Sequence, residues 1–199
     1  MNNSLNPTRG YGLLEKFLAK KRGQMANKLI SRFGKKGRVL DIGCGFYPYF
    51  LINSDLEEKY GIDSSVNLNL VKNKSVILKK LNIEKQKLPF KDNHFDVITM
   101  LAVFEHINND KLSFVLKEVS RVLNKNGVFI ITTPAPWVDF LLHFMGKIGL
   151  ISKEEIEDHK HNHNNVKIKS ILKNNGFKEE GIKNGFFELG MNMWFTIVK

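Results

Sequence analysis

Between Leu13 and Phe33 the apolar residues Leu14, Phe17, Leu18, Met25, Leu29 and Ile30 recur at three- and four-residue spacing, the period of an amphipathic helix. Gly34 and Gly37 end it, and the pattern then changes. Arg38–Ile42 is a short β-rich run that breaks into a Gly-rich turn, Lys59–Ile62 is a second run closed by Asp63, and Ser75–Leu81 is a third with the β-branched content of a strand. Phe95–Leu101 is nearly continuous in apolar residues, as in a strand buried on both faces of a parallel sheet. Leu112–Leu123 returns to helical spacing, with Leu112, Val115, Leu116, Val119, Val122 and Leu123 as its stripe and Asn126-Gly127 as its stop signal. Val128–Thr133 is a fifth strand, closed by Pro134 and Pro136. A helix over about Val166–Lys173 precedes two apolar stretches, Phe186–Leu189 and Met193–Val198, that read as a closing β-hairpin.

Strands alternating with helical or connecting segments predict an α/β fold: a doubly wound, mostly parallel seven-stranded sheet with a C-terminal antiparallel hairpin and helices on both faces. Ligands of such sheets bind at the C-terminal ends of the strands. Asp41–Gly45, Asp63, Asn82 and Ala102–His106 each follow a strand, so they are expected along one edge. Residues 1–199 are expected to be a single domain: 1–35 a helical lid or packing helix, 36–134 a cofactor-binding core, 135–165 an acceptor-side insert, and 166–199 a helix with the hairpin. Within the insert, Trp137–Leu150 is apolar but too short to span a bilayer.

Composition narrows this little. With 199 residues, 42% apolar and 26% charged, the chain fits one ordinary α/β domain. Its first residues lack the layout of a signal peptide, and no apolar run approaches the ~18–20 residues of a spanning helix, which points to a cytoplasmic location. Cys44 is the only cysteine, so neither an intrachain disulfide nor a cysteine-based zinc site is expected. The net charge of +11 fits a polyanionic partner such as nucleic acid, an anionic membrane surface or a phosphorylated acceptor. The lysines are spread along the whole chain, however, with only short clusters such as Lys20-Lys21-Arg22, and charge alone identifies no partner.

The Gly-rich turn carries the first chemistry. Gly43 and Gly45 let backbone approach a ligand where a Cβ would clash, but the third glycine of a dinucleotide clamp is missing because Pro48 stands in its place. Asp63, at the end of the second strand, is suited to accept both hydroxyls of a ribose. In order along the chain stand VLDIGCG (Val39–Gly45), YGID (Tyr60–Asp63), LPFKDNHFDVI (Leu88–Ile98), FEHI (Phe104–Ile107) and LKEVSRVLNKNGVFIITTP (Leu116–Pro134). This series resembles the small class I S-adenosylmethionine-dependent methyltransferases of the type 11 kind. The resemblance implies S-adenosylmethionine as cofactor, its methionine part against Asp41, Gly43, Cys44 and Gly45, and its ribose on Asp63 beside Ser64. It further implies adenine near Asn82 and Ile83, where the family often has an acid, and Ala102 beside the sulfonium methyl. The tail FFELGMNMWFTIVK is similar to methyltransferases of surface-polysaccharide and lipopolysaccharide biosynthesis.

The acceptor side is less constrained. A hydroxyl acceptor needs a base, and the candidates are His106, His159, His161 and His163; the last three belong to the polar run Asp158–His163. Each has a plain alternative: His106 as a helix N-terminal residue packed at the sheet edge, the histidine run as a solvated loop before a helix capped by Asn164 or Asn165. Asp41 orients the turn in the plain reading, Cys44 is packing, and Asp96 is structural. The function expected is methyl transfer to a small-molecule, glycan or lipid-linked acceptor, on oxygen, with no metal and with peripheral membrane contact open. Nucleic-acid methylation is the runner-up, weakened because Leu101-Ala102-Val103 follows the fourth strand instead of an Asn/Asp-Pro-Pro-aromatic motif. A non-catalytic cofactor-binding protein of the same fold is the third reading.

Overall fold

The structure, a computed structural model, describes residues 15–34, 37–69, 75–138 and 163–199. Its strands pair into one seven-stranded sheet in the order β3-β2-β1-β4-β5-β7-β6. Strands β1 (Arg38–Ile42), β2 (Glu58–Asp63), β3 (Val76–Lys80), β4 (Phe95–Leu101) and β5 (Leu123–Pro134) are parallel. The strands β6 (Ile182–Phe187) and β7 (Asn192–Val198) form the antiparallel hairpin, with β7 antiparallel to β5. The helices are α1 (Glu15–Arg32), the single turn α2 (Tyr49–Ile52), α3 (Asn109–Val122) and α4 (Asn165–Asn174). No helix among the described residues is long and apolar enough to cross a membrane.

Successive residues of a strand point to opposite faces, and here both faces are covered. Val39, Val97, Val128 and Ile130 pack with Ala26, Leu29 and Ile30 of α1 and Phe50 and Leu51 of α2. Their neighbours Leu40, Ile42, Ile98, Met100, Phe129 and Ile131 pack with Val115, Leu116 and Val119 of α3 and Ile168 and Leu172 of α4. This two-sided burial explains the continuous apolar runs of β4 and β5. The chain reverses direction across the sheet at β1, which pairs with β2 on one side and β4 on the other, and that switch opens the crevice expected to hold a ligand.

Several boundaries differ from the expected ones. Helix α3 stops at Val122, and Leu123 already pairs with Phe95, so Asn126-Gly127 sits within β5 and not at a helix end; the register shift between Phe95 and Val97 absorbs the mismatch. Phe17 lies on the exposed side of α1, because the buried stripe runs through Gly23, Ala26, Leu29 and Ile30. Leu189 is in the turn of the hairpin and not in β6.

The LPFKD stretch is fixed by one arginine. Arg121 of α3 donates to the carbonyls of Leu88 (2.9 Å) and Phe90 (2.8 Å), to Asp92 (2.8 Å), and through Nε and Nη2 to both oxygens of Glu118 (2.9 and 2.7 Å). Glu118 in turn accepts from the Leu88 N–H at 2.8 Å. The Arg121 hydrogen bond holds the Glu118 carboxyl below its usual range, aided by Leu88 N–H. Arg121→Met is expected to cost about 2–4 kcal/mol at neutral pH, since it leaves Glu118 buried without its cation. Glu118 contributes stability above the ordinary carboxylate pKa and loses it as pH falls through its lowered value. Urea unfolding should therefore show the gap between wild type and variant narrowing below about pH 4.

Candidate functional site

β1 cannot continue past Ile42, because Gly43 and Gly45 take φ values of +74° and +75°, a region side chains disfavour. The N–H groups of Gly43 and Cys44 both donate to the Ile62 carbonyl, at 2.8 and 3.2 Å, which ties the turn to the end of β2. The next residue, Asp63, closes the link. Its Oδ2 accepts from the Gly45 N–H at 3.1 Å, and its Oδ1 accepts from both the N–H and the hydroxyl of Ser65 at 2.7 Å. Ser64 lies in the bend that follows. Gly61 of the YGID motif is small for packing reasons, since a Cβ there would come within 2.9 Å of Cys44 Sγ and of Leu51.

Asp41 is 3% exposed and accepts a hydrogen bond from the Thr99 hydroxyl of β4 at 2.6 Å. Among the described residues its partner is thus a neighbouring strand and not the turn's amides, which corrects the plain reading made above. Burial pushes its carboxyl up to about 7, the Thr99 bond opposing and the Asp63 charge adding to the rise. Burial and the charges of Asp41 and Asp63 likewise push the Cys44 thiol well up, so it stays protonated and serves as packing. Asp96 is structural as expected, accepting from the Arg38 N–H at 2.9 Å and from Asn124 Nδ2 at 2.7 Å.

On the other side of the crevice β4 ends in a sharp bend. Ala102 has φ +57°, and its N–H donates to the Thr132 carbonyl at 2.9 Å. The bend lays Val103 over Gly43, where a Cβ on the glycine would overlap both Val103 methyls. Phe104–His106 then form a 3-10 turn. His163, buried just before α4, meets Phe104 edge-on with ring centroids 6.3 Å apart, so it packs on the turn whose last residue is His106. Asp158, His159 and His161 lie outside the described residues, as do 139–150 of the apolar insert.

Past β3, the Asn82 side chain accepts from the Glu84 N–H at 2.9 Å, and Ile83 packs half-buried on the core. Glu84, the acid nearest the expected adenine position, accepts from the N–H (2.6 Å) and Nδ2 (2.9 Å) of Asn108 and joins this loop to the post-β4 turn. Sequence reasoning missed Thr99, Ser65, Val103 and above all Glu105. Glu105 is 4% exposed, and among the described residues neither carboxylate oxygen has a hydrogen-bond partner. Its signal was a carboxylate set between the apolar Phe104 and Ile107 in FEHI.

Comparison with known proteins agrees with this geometry. A sequence profile of the family described as methyltransferase domain matches residues 40–131. An uncharacterised protein of Methanocaldococcus jannaschii is 32% identical over 140 residues, 70% of this chain and 54% of that one. The ubiquinone biosynthesis O-methyltransferase of Pelagibacter ubique is 32% identical over 114 residues, 50% of this chain and 42% of the relative. The chain spans about half the length of the curated relatives it matches. A crystal structure of an S-adenosylmethionine-dependent methyltransferase from Archaeoglobus fulgidus shares the fold, with a TM-score of 0.65 and 17% identity over 92% of this chain and 99% of that one. Residues 40–131 thus match the methyltransferase domain family, and the fold is shared with S-adenosylmethionine-dependent methyltransferases of known structure. S-adenosylmethionine is the cofactor that these likenesses imply, and the residues present fit it: a turn of left-handed glycines, an anchored carboxylate at the end of β2 and a buried acid between them.

Two outcomes are expected. Gly43→Ala should destabilise the protein by about 2–4 kcal/mol, through left-handed strain and overlap with Val103. Adding Val103→Ala should recover part of that loss in a thermal melt, leaving about 1 kcal/mol from φ. For Asp41 the folded pKa lies above the unfolded value of 3.8, so the folded chain keeps a proton that the unfolded chain has released, and stability falls as pH rises to about 7. Asp41→Asn keeps an acceptor for Thr99 and should lack that fall, its advantage growing by about 2–4 kcal/mol from pH 4 to 7 and staying level above.

Proposed function

We propose that this chain transfers the methyl group of S-adenosylmethionine to an oxygen of a small-molecule, glycan or lipid-linked acceptor. The observation that carries the reading is the link from the Gly43–Gly45 turn through Asp63 to Ser65, which presets a carboxylate at the strand ends before any ligand arrives. Asp63, whose Oδ2 accepts only the Gly45 N–H among the described residues and so retains a lone pair, accepts from a ribose hydroxyl, with Ser64 beside it. Asp41, Gly43, Cys44 and Gly45 line the methionine part, Asn82 and Ile83 flank adenine, and Ala102 borders the methyl. The cofactor supplies a carbon already activated by its positive sulfur. The protein therefore has to align the acceptor hydroxyl and take its proton.

The post-β4 turn suits that task. It carries His106, and His163 packs on its Phe104; these two histidines, with His159, are the proposed proton acceptors. Glu105 sits in the same turn, and a buried carboxyl that has no partner among the described residues is costly unless a donor reaches it. A hydroxyl of the acceptor is such a donor. Oxygen as the methylated atom is supported by the O-methyltransferase among the relatives, and glycan acceptors by the likeness of the C-terminal tail.

S-adenosylhomocysteine at a hundred times its Kd should stabilise the protein by about 2.7 kcal/mol, and Asp63→Ala should remove most of that shift. An undiminished shift in Asp63→Ala would place the ribose elsewhere. Radiolabelled methyl transfer into lipid, polysaccharide, RNA and protein fractions identifies the acceptor class. In that assay Glu105→Gln, His106→Ala and His163→Ala should each lose turnover at least tenfold, with S-adenosylhomocysteine affinity retained. Glu105→Gln should not lower the melting temperature, because it replaces a buried carboxyl that has no hydrogen-bond partner among the described residues with an amide of the same shape.

A further inference from the structure

The hairpin turn between β6 and β7 holds an arrangement that neither the core nor the cofactor crevice uses. Glu188, Leu189 and Gly190 are consecutive left-handed residues, with φ of +52°, +56° and +84°, and two of them are not glycine. Such strain persists only where surrounding bonds over-determine it. Here the Gly190 and Met191 N–H groups donate to Phe187 and Glu188 carbonyls at 3.2 and 3.1 Å, and the Ala135 N–H donates to the Met191 carbonyl at 2.8 Å. Asn192 Nδ2 donates to Glu188 at 2.6 Å, and Trp137 Nε1 donates to the Gly190 carbonyl at 3.2 Å. What this turn displays is one side chain, Leu189, which is 97% exposed. Beside it Trp137 is 58% exposed.

Helix α1 adds charge to the same rim. Arg22 and Lys21 lie close enough to Glu188 for both cations to act on its carboxyl. Lys21 Nζ in turn sits 5.3 Å from the ring centre of Phe17, itself 52% exposed. Lys16 and Lys20 are exposed on the same stretch of helix. An apolar tip, an indole and a phenyl ring set among lysines match the requirements of a headgroup boundary: hydrocarbon for the acyl edge, aromatic rings for the interface and cations for anionic lipid. Nucleic acid gains nothing from a leucine held out on a strained turn. The rim also lies at the strand ends that hold the site, since Asn192 pairs with Pro134 and Ala102 bonds to Thr132.

We propose that the rim of Phe17, Lys21, Arg22, Trp137 and Leu189 docks the protein on an anionic lipid bilayer, with Leu189 inserted at the tip and the acceptor opening turned toward the surface. This goes beyond the methyl-transfer reading and does not depend on it. The test is co-sedimentation and tryptophan emission of the full chain with vesicles of phosphatidylglycerol and phosphatidylcholine, against vesicles of phosphatidylcholine alone. Binding is expected to the anionic vesicles, with a blue shift that Trp137→Phe removes and that 0.5 M salt weakens. Leu189→Gly relieves the φ strain, so it should melt no lower than wild type while binding these vesicles about tenfold more weakly. Lys16→Glu with Lys20→Glu should reduce binding to the anionic vesicles at least as much. Wild-type binding by Leu189→Gly, equal binding to neutral vesicles, or no vesicle binding at all overturns the proposal. So does binding of a single-stranded RNA oligonucleotide in place of vesicles, unchanged in Leu189→Gly. The S-adenosylhomocysteine melting shift, measured on the same samples, keeps a failed docking surface distinct from a failed cofactor site.

Discussion

A single carbonyl, that of Ile62, receives the N–H groups of both Gly43 and Cys44, and the site is built around that hold. It stops β1 at Ile42, turns the chain away from the sheet, and brings the Gly45 N–H to Asp63, the residue that follows the accepting carbonyl. Because β1 is central in the parallel sheet, anything fixed at its end is fixed relative to β2 on one side and β4 on the other. Asp41 makes the second of these connections through Thr99. A ligand therefore meets groups whose relative positions are set by strand register, not by loops.

The same rigidity explains the uneven placement of charge. Acids with structural tasks are paired: Glu118 with Arg121, Asp96 with backbone and Asn124, Glu84 with Asn108. Asp41 and Glu105 are buried with no cation paired to them among the described residues, Asp41 near the end of β1 and Glu105 in the turn that follows β4. Uncompensated burial lowers stability and is found where chemistry benefits from it. Strain follows a similar rule, with Ala102 bent at the mouth of the site and Glu188 and Leu189 bent at its rim.

Much of this was legible in the chain itself. The central strands β1 and β4 are so apolar, and so closely bounded by polar or glycine residues, that period and length alone locate them. The Gly turn and Asp63 follow from spacing, and the hairpin from two apolar stretches. The end of α3 was misplaced because Val122-Leu123 suits either a helix face or a strand, and only the pairing of Leu123 with Phe95 decides between them. Phe17 was assigned to the buried stripe because it is apolar, whereas the buried path on α1 runs through Gly23, Ala26, Leu29 and Ile30, with Gly23 beside Phe50.

The sequence by itself determined the fold class, the order of the strands along the chain and which glycines and acids stand at the strand ends, because periodicity, glycine placement and acid spacing are local properties of the backbone. Tertiary structure decided what each polar group does. That Thr99 bonds Asp41, that the Gly45 N–H meets Asp63, that Glu105 has no partner among the described residues and that Val103 is what Gly43 makes room for all depend on residues separated in sequence being brought together or kept apart. Likewise Leu189 reads as one more apolar strand residue until the hairpin closes. Only the bonds from Ala135 and Trp137 to the neighbouring turn residues show that it is held outward, into solvent.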